Sequence, residues 1–442
     1  MAKKKKKAAV DFRYDTGPAR IPWAAVGEPV LEDDVIELVK FLLPPLDGKK
    51  RAYAAQLKRT AGEITKLRAC SGTAGKLSLS RNIEALEKKA AKILRAKYAV
   101  FVTNATAGFE IAHKFAGLKP GDEVIAPAIT FIASITYPLS IGAKVVLADV
   151  DPRTINIDPD DVARKITPRT RVIFPVHVGG YPADMDPIMR LARKHNITVI
   201  EDAAHAFGGS YKGKMTGTIG HFGSFSFHEV KNITSLGEGG ILATNTPFGK
   251  DFAKSRFLGI DMGRQVKNWL YDVVALKSRG GHFAPPNHST TEIQAVGLMQ
   301  QITRLKGIIA SRKKAATYLN SRFSKVPGII PPPLGTAEIK PTYHLYLLQI
   351  DPEIVGGDIQ TLKKKLSDKG IVNIPHYAPL YKFSILRQLG YDTRAMEKTC
   401  PVAERMFQKT FTHLPLYDFT GEQMKYLADA VIESVNEMKA GK

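Results

Sequence analysis

The sequence has few cysteines and lacks any long apolar run. Its 442 residues include only Cys70 and Cys400, which excludes a disulfide-stapled secreted scaffold and fits a reducing cytoplasm. No apolar stretch reaches the roughly 18 residues that a membrane-spanning helix needs. The basic start MAKKKKKAAV is not followed by the apolar segment of a signal peptide, so we expect a cytoplasmic protein.

Acidic residues are scarce relative to basic ones. The chain has 42 Asp and Glu against 64 Lys and Arg, and residues 1–100 hold 22 of the basic but 11 of the acidic residues. The net charge of +22 attracts anions such as nucleic acid, anionic lipid or phosphorylated small molecules. The run from Lys3 to Lys7 is typical of a solvated tail. Because no helix-turn-helix, zinc-finger or RNP pattern is found, we expect no sequence-specific nucleic-acid binding. We also assign no metal site.

Short apolar runs alternate with helical patterns through the middle of the chain. The predicted strands are DEVIAPA, AKVVLADV, RVIFPVHV and ITVIEDA, and helical segments separate them. Apolar runs of this length between helices predict βαβ units and a mainly parallel sheet covered by helices. In such α/β sheets functional groups collect at the carboxyl ends of the strands, so a site is expected there.

The pattern changes on either side of this sheet, which predicts three regions. Residues 76–310 form a large domain, and residues 311–442 form a smaller α+β domain. A long helix over about residues 290–325 joins the two. Residues 1–75 form a basic segment with a tail and an inserted helix. The apolar face of that helix is expected to pack against protein rather than membrane; it comprises Leu57, Ala61, Ile64 and Leu67.

Two stretches place small polar or aromatic residues before a helix. In FVTNATAGFEIAHKF, Asn104, Ala105 and Thr106 follow an apolar strand, where backbone N–H groups and a hydroxyl can hold a phosphate. The same pattern also fits an ordinary N-cap. In AITFIAS, Phe131 follows the strand DEVIAPA, where an aromatic ring either stacks on a planar ligand or belongs to the core.

Two further stretches carry ionisable residues at strand ends. The strand in TVIEDAAHAFGG ends in Glu201 and Asp202, and a carboxylate buried there needs a cation such as a protonated ring nitrogen. His205 either reaches the same ring or is a buried structural histidine. In FGSFSFHEVKNITSLGEGG, Lys231 follows a strand that contains Ser226. A lysine among aromatic residues has a lowered pKa and can form a Schiff base; the alternative is an ordinary surface lysine.

Together the four stretches describe one kind of site. A phosphate-binding helix start, a stacking aromatic, a carboxylate for a pyridinium nitrogen and a Schiff-base lysine are the groups that pyridoxal 5'-phosphate needs. Their order along alternating strands and helices favours Lys231 as the lysine of that site.

These stretches resemble the DegT/DnrJ/StrS sugar aminotransferases, a family of the fold type I pyridoxal-phosphate transferases. The resemblance covers about residues 80–430 and includes NATAGFEIA, GDEVIAPAITFIAS, VIEDAAHAFGGSYKGK, FSFHEVKNITSLGEGG, TTEIQAVGLMQQITRL and YHLYLLQI. It implies Lys231 as the Schiff-base lysine, Asp202 as the partner of the ring nitrogen and His205 near the ring hydroxyl. The remaining implied cofactor contacts are stacking by Phe131 and phosphate binding by Ala105, Thr106 and Ser226.

The family also sends one residue across a dimer interface to the partner's phosphate site, which implies a homodimer. That residue comes from GHFAPPNHS, in which Ser289 occupies the position where the family usually has Asn or a basic residue, and Asn287 is our choice. This chain departs from the family in a second way, because it inserts roughly residues 44–68.

The resemblance implies an aminotransferase that acts in amino-sugar or polysaccharide biosynthesis. We expect glutamate or glutamine as the amino donor and a nucleotide-linked keto sugar as the acceptor. His376 and Tyr377 in PHYAPLY either line the sugar site or belong to a structural aromatic-proline loop. A dehydratase of the same family is one alternative, but those enzymes have histidine in place of Lys231. The other is a non-catalytic regulator that binds anions or nucleic acid, which would have no use for Lys231 and Asp202 together.

Overall fold

The computed structural model describes residues 30–72, 77–260, 273–372 and 377–441. The first region is a helical hairpin of α1 (Glu32–Leu42) and α2 (Lys50–Ala69). The large domain then runs through α3 (Arg81–Leu94), β1 (Tyr98–Val102), α4 (Ala105–Ala116), β2 (Glu123–Pro127), α5 (Ala133–Ser140), β3 (Lys144–Ala148), α6 (Pro159–Lys165), β4 (Thr170–Ile173), α7 (Met185–His195), β5 (Thr198–Asp202), β6 (Ser210–Tyr211), β7 (Lys214–Met215), β8 (Phe222–Ser226), β9 (Gly240–Thr244), α8 (Phe252–Arg256), β10 (Leu276–Ser278) and β11 (Gly281–Phe283).

A long helix leads from the large domain to the remaining elements. It is α9 (Glu292–Phe323), close to the predicted bounds, and a capping box formed by Thr291 and Gln294 begins it. The elements that follow are β12 (Ile329–Ile330), β13 (Ile339–Lys340), β14 (Tyr346–Ile350), α10 (Pro352–Val355), α11 (Ile359–Asp368), α12 (Ser384–Gln388), α13 (Thr393–Lys398), α14 (Pro401–Arg405), β15 (Phe411–Leu414) and α15 (Gly421–Ala440).

The large domain is built on a seven-stranded sheet with the order β1-β9-β8-β5-β4-β2-β3. The strands from β8 to β3 run parallel, whereas β9 pairs antiparallel with both β8 and β1. The four parallel pairs bring the carboxyl ends of β2, β3, β4, β5 and β8 to one edge. The predicted α/β architecture with a mainly parallel sheet, that of a fold type I transferase, is thereby confirmed.

Apolar side chains from both faces of this sheet form three buried clusters, and a fourth lies in the C-terminal part of the chain. Helix α9 contributes to two of the four. Ala295, Leu298 and Ile302 pack with the large domain, whereas Leu319 and Phe323 pack with β14 and α15. The two ends of α9 therefore pack with different parts of the chain, and the predicted boundary near residue 310 stays a prediction. Residues 380–406 pack in the same buried cluster as the seven-stranded sheet.

The α1–α2 hairpin differs from the rest of the fold. Within the described ranges, neither of its helices contains a fully buried side chain. The predicted packing face of α2 is only partly realised, because Leu57, Ala61 and Ile64 are half-buried while Leu67 is 64% exposed. With 11 residues against 20, α1 spans about half of α2. The prediction for Leu67 was therefore wrong, since that residue lies beyond the reach of α1.

Candidate active site

The first wall of the site is the start of α4. The side chain of Asn104 caps this helix, with its Oδ1 accepting a hydrogen bond from the Ala107 N–H at 2.9 Å. The N–H groups of Ala105 and Thr106 belong to the first turn, where a helix has no internal acceptor for them. Gly240 in β9 lies directly beneath, since a Cβ built there would be 2.3 Å from the Asn104 carbonyl carbon. The sequence thus folds into both an N-cap and an anion-accepting helix start.

The second wall is the end of β5, where the two acidic residues separate. Successive side chains of a strand point to opposite faces, so Glu201 and Asp202 do not share a site. Glu201 is fully buried on the far face, where its carboxylate oxygens accept hydrogen bonds from His177 Nε2 at 2.9 Å and from the N–H groups of Gly217 and Ile219 at 2.7 Å. Glu201 is therefore a structural carboxylate of the turn before β8.

Asp202 faces the site. Its Oδ1 accepts from the Ala204 N–H and its Oδ2 from the Ser134 hydroxyl, both at 3.0 Å. Burial raises the pKa of Asp202 above its usual value, although these two hydrogen bonds and the nearby charge of Lys231 act in the opposite direction. A carboxylate in this condition gains stability from an additional cation.

The third wall is the turn that follows β8. Lys231 is half-buried, and its backbone N–H donates to the His228 carbonyl at 3.0 Å. Burial lowers the pKa of Lys231 to about 8, against the opposing influence of the Asp202 and Glu238 carboxylates. A substantial fraction of this amine is therefore neutral near pH 8, and a neutral amine can act as a nucleophile or a base.

Three rings lie beside these groups. The ring centroids of His205 and His344 are 4.4 Å apart, and His205 Nε2 lies 3.2 Å from the Tyr377 hydroxyl oxygen. Burial raises the pKa of Tyr377 well above its usual value, so its hydroxyl keeps its proton at neutral pH and can donate a hydrogen bond.

These walls enclose a cavity of about 560 Å³. It brings together eight of the predicted site residues, namely Ala105, Thr106, Phe131, Asp202, His205, Ser226, Lys231 and Tyr377. Phe131 is 58% exposed, so its ring belongs to the cavity wall and not to the core.

Two predicted residues are not in this set. In the part of the chain that the structure describes, Asn287 lies outside the cavity wall, pairs with Phe257 and accepts hydrogen bonds from Ser289. Its predicted role across a dimer interface stays a prediction. His376 lies outside the described residues.

Sequence reasoning missed several residues of the cavity. His344, His413 and Tyr417 line it from the C-terminal part of the chain, and Glu238 lines it beside Lys231. YHLYLLQI, a motif of the resemblance, contains His344, but nothing local in it points to a ligand. Ser134 carries no signal, because its contact with Asp202 spans 68 positions.

The cavity residues fit pyridoxal phosphate in charge and in shape. Two first-turn N–H groups and the hydroxyls of Thr106 and Ser226 suit a phosphate, and the open ring of Phe131 suits an aromatic plane. The carboxylate of Asp202 is buried, and a protonated ring nitrogen would supply the cation that it needs. Lys231 supplies the amine. This arrangement defines the class of fold type I pyridoxal-phosphate enzymes.

Comparison with known proteins narrows that class. Residues 59–432 match the model of the DegT/DnrJ/EryC1/StrS aminotransferase family, and the chain belongs to this family. It is 33% identical over 377 residues to the spore coat polysaccharide biosynthesis protein SpsC of Bacillus subtilis, which covers 83% of this chain and 92% of SpsC. It is 32% identical over 363 residues to the GDP-perosamine synthase of Caulobacter vibrioides, covering 81% of this chain and 90% of that enzyme.

A solved structure agrees with this result. Spr1654 of Streptococcus pneumoniae, provisionally described as a sugar aminotransferase, superimposes in its PLP form with a TM-score of 0.72 at 26% identity, covering 83% of this chain and 94% of that one. The same protein is also known in a PMP form. The chain is therefore a pyridoxal-phosphate-dependent aminotransferase of a sugar aminotransferase family, which confirms the predicted family, fold class, cofactor and enzyme class.

Proposed function

We propose that this enzyme transfers the amino group of glutamate or glutamine to a nucleotide-linked keto sugar in the biosynthesis of a polysaccharide. The observation that carries the proposal is the convergence of Lys231, Asp202, Phe131 and the start of α4 on one cavity. Support for the acceptor comes from the similarity to a GDP-perosamine synthase and to a polysaccharide biosynthesis protein. The net charge of +22 also suits a diphosphate substrate.

The chain's own groups divide the work of the reaction. When bound, pyridoxal phosphate holds the substrate nitrogen covalently and takes up the electron pair released when the Cα–H bond breaks. Lys231 Nζ accepts the proton from Cα of the amino donor and later returns a proton to the sugar carbon that gains the amine. Its pKa of about 8 suits both directions of transfer at neutral pH, because neither protonation state is strongly disfavoured.

The remaining residues bind and orient. Asp202 would stabilise a proton on the ring nitrogen, and hydrogen bonds from Ser134 and Ala204 fix its carboxylate. Phe131 would stack on the ring and exclude water from it. Ala105, Thr106 and Ser226 would bind the phosphate and so anchor the cofactor in the cavity that contains Lys231. Tyr377 belongs to the sugar side of the cavity.

The acceptor can be identified by a substrate screen. Enzyme loaded with pyridoxamine phosphate is mixed with guanosine-, uridine- and thymidine-diphosphate keto sugars, and the change of visible absorbance is followed. We expect one nucleotide class to return the cofactor to its aldehyde form, with the matching amino sugar detected by mass spectrometry. A response only to free keto acids, with none to any nucleotide sugar, would contradict the proposed acceptor.

We also propose that the active unit is a homodimer in the cytoplasm, with Asn287 of each subunit reaching the partner's phosphate site. Asn287 lies outside its own cavity, next to Phe257 at the large-domain surface. Apolar side chains are exposed on α9 and before β9, at Leu236, Ile293 and Val296. Sedimentation velocity at assay concentration should give a dimer, and a fully active monomer would refute this part of the proposal. Among the described helices, none combines the length and the apolar character needed to cross a membrane.

A further inference from the structure

The residue after Lys231 makes two hydrogen bonds with a distant segment. Asn232 Nδ2 donates to the Thr342 carbonyl at 3.0 Å, and Asn232 Oδ1 lies 2.9 Å from His344 Nδ1. Because the Thr342 carbonyl can only accept, the NH₂ end of the Asn232 amide must face Thr342. The oxygen end of the amide therefore faces His344. An amide oxygen can only accept, and His344 Nδ1 therefore carries a hydrogen. Asn232 thus fixes a hydrogen on Nδ1 of the His344 ring.

The segment that Asn232 holds is fixed from two further directions. The N–H groups of Thr342 and His344 donate to the carbonyls of Gly180 and Gly179 at 3.0 and 2.9 Å. Tyr343 between them has a φ of 52°, in the left-handed region that non-glycine residues rarely adopt. A Cβ at Gly180 would lie 2.1 Å from the Thr342 hydroxyl oxygen, so the packing leaves no room for a shift.

This fixed segment contacts the cofactor side of the cavity. The Thr342 hydroxyl donates to the His205 carbonyl, and the His344 ring lies against the His205 ring with 4.4 Å between centroids. His205 in turn meets the Tyr377 hydroxyl. A continuous chain of contacts therefore runs from the neighbour of Lys231 to the histidine proposed to face the cofactor ring.

We propose that Asn232 is a positioning residue that sets the Lys231 amine relative to His205 through its bonds to Thr342 and His344. The inference rests on the proposed role of Lys231. Lys231 lies in a turn, and a shift of about 1 Å in a reacting group costs up to a hundredfold in rate. Asn232 joins that turn to the rigid segment and so limits such a shift.

The chain offers a matched control for a test. Asn320 on α9 makes the same pair of bonds, with Nδ2 donating to the Pro332 carbonyl at 2.9 Å and Oδ1 accepting from the Tyr346 hydroxyl at 2.7 Å, and it lies outside the cavity wall. Asn232→Ala and Asn320→Ala should both lower Tm. Only Asn232→Ala should lower kcat, by about tenfold to a hundredfold, with KM for the amino donor changed much less. It should also shift the pH at which the visible absorbance of the loaded enzyme titrates.

A second readout does not depend on the cofactor. In the apoenzyme labelled with ¹⁵N-histidine, the His344 Nδ1–H signal should be present in wild type and in Asn320→Ala but lost or exchange-broadened in Asn232→Ala. A double-mutant cycle with His344→Phe should show that the two substitutions are not additive in kcat. If Asn232→Ala matched Asn320→Ala in kcat, absorbance titration and histidine spectrum, the inference would be overturned while the role of Lys231 stood. If Lys231→Ala kept the lysine-bound absorbance, the proposed site and this inference would fail together.

Discussion

The cofactor cavity and the α1–α2 hairpin are held in place by opposite means. In the cavity, hydrogen bonds from Ser134 and Ala204 fix the buried Asp202 carboxylate. The hairpin has no fully buried side chain among its described residues, and Phe41 is 80% exposed. Substitutions in the cavity should therefore change chemistry in large and specific ways, whereas substitutions in the hairpin should act through charge, weakly and in a salt-dependent way.

The largest effect is expected from the amine at the centre of the cavity. Lys231→Ala should reduce turnover by about 10² to 10⁴-fold or more, because both proton transfers lose their base. The circular dichroism spectrum should be unchanged, since the side chain is only half-buried. Visible spectroscopy and steady-state kinetics measure the two effects. Normal turnover in the purified variant would show that another lysine does this work.

The next effect separates the two neighbours on β5. Asp202→Asn should lower kcat on the order of a hundredfold, because the ring nitrogen loses its charged partner, while Tm changes little. Glu201→Gln should do the reverse, with a loss of roughly 3 kcal/mol in the free energy of unfolding, because a Gln NH₂ would face donors from Gly217 and Ile219. Denaturant unfolding and kcat, measured on the same preparations, test whether Asp202 serves the chemistry and Glu201 the stability. Equal losses of kcat in both variants would refute this difference.

A smaller effect concerns stability and pH in the apoenzyme. The folded pKa of Lys231 is about 8, below the usual value of 10.5 for lysine, so folding disfavours its charged form. The free energy that folding loses by disfavouring the charged Lys231 amine is fully present below pH 8 and disappears as the pH rises from 8 to 10.5. Lys231→Met should therefore melt at a higher temperature than wild type below pH 8, with the difference fading at higher pH. A Tm difference independent of pH would contradict the lowered pKa.

The smallest effect is expected in the hairpin. Neutralising Lys49, Lys50, Arg51, Lys58 and Arg59 should lower kcat/KM for a diphosphate substrate by up to roughly tenfold at low salt and much less at 0.1 M. The half-reaction with the amino donor should change little. Deleting Met1–Ala9, which lies outside the described residues, should have a weaker effect than the five substitutions. Equal losses in both half-reactions with no dependence on salt would show that α2 is a packing element whose charge is incidental.

The order and type of the main elements could be predicted because apolar period and turn residues are local signals. The site was partly predictable for the same reason, since Thr106, Asp202 and Lys231 each follow a strand at the same edge of the sheet. Strand alternation could also have separated Glu201 from Asp202. His344, His413 and Tyr417 could not be assigned to the cavity, because they reach it from elements more than 100 residues away from Lys231. The exposure of Leu67 depends on the short length of α1, which a pattern within α2 cannot contain.

The glycine beneath the start of α4 has a consequence for how variants of this enzyme are interpreted. Any side chain at position 240 would meet backbone atoms of Asn104 and Ala105 at 2.3 to 2.7 Å, so it would have to lift the start of α4 off the sheet. A saturation library should therefore return only glycine there, although Gly240 is not among the described residues that line the candidate active-site cavity. Directed evolution toward a new sugar should leave position 240 unchanged and vary the opposite wall at Val372 and Tyr417, where exposed side chains leave freedom to change.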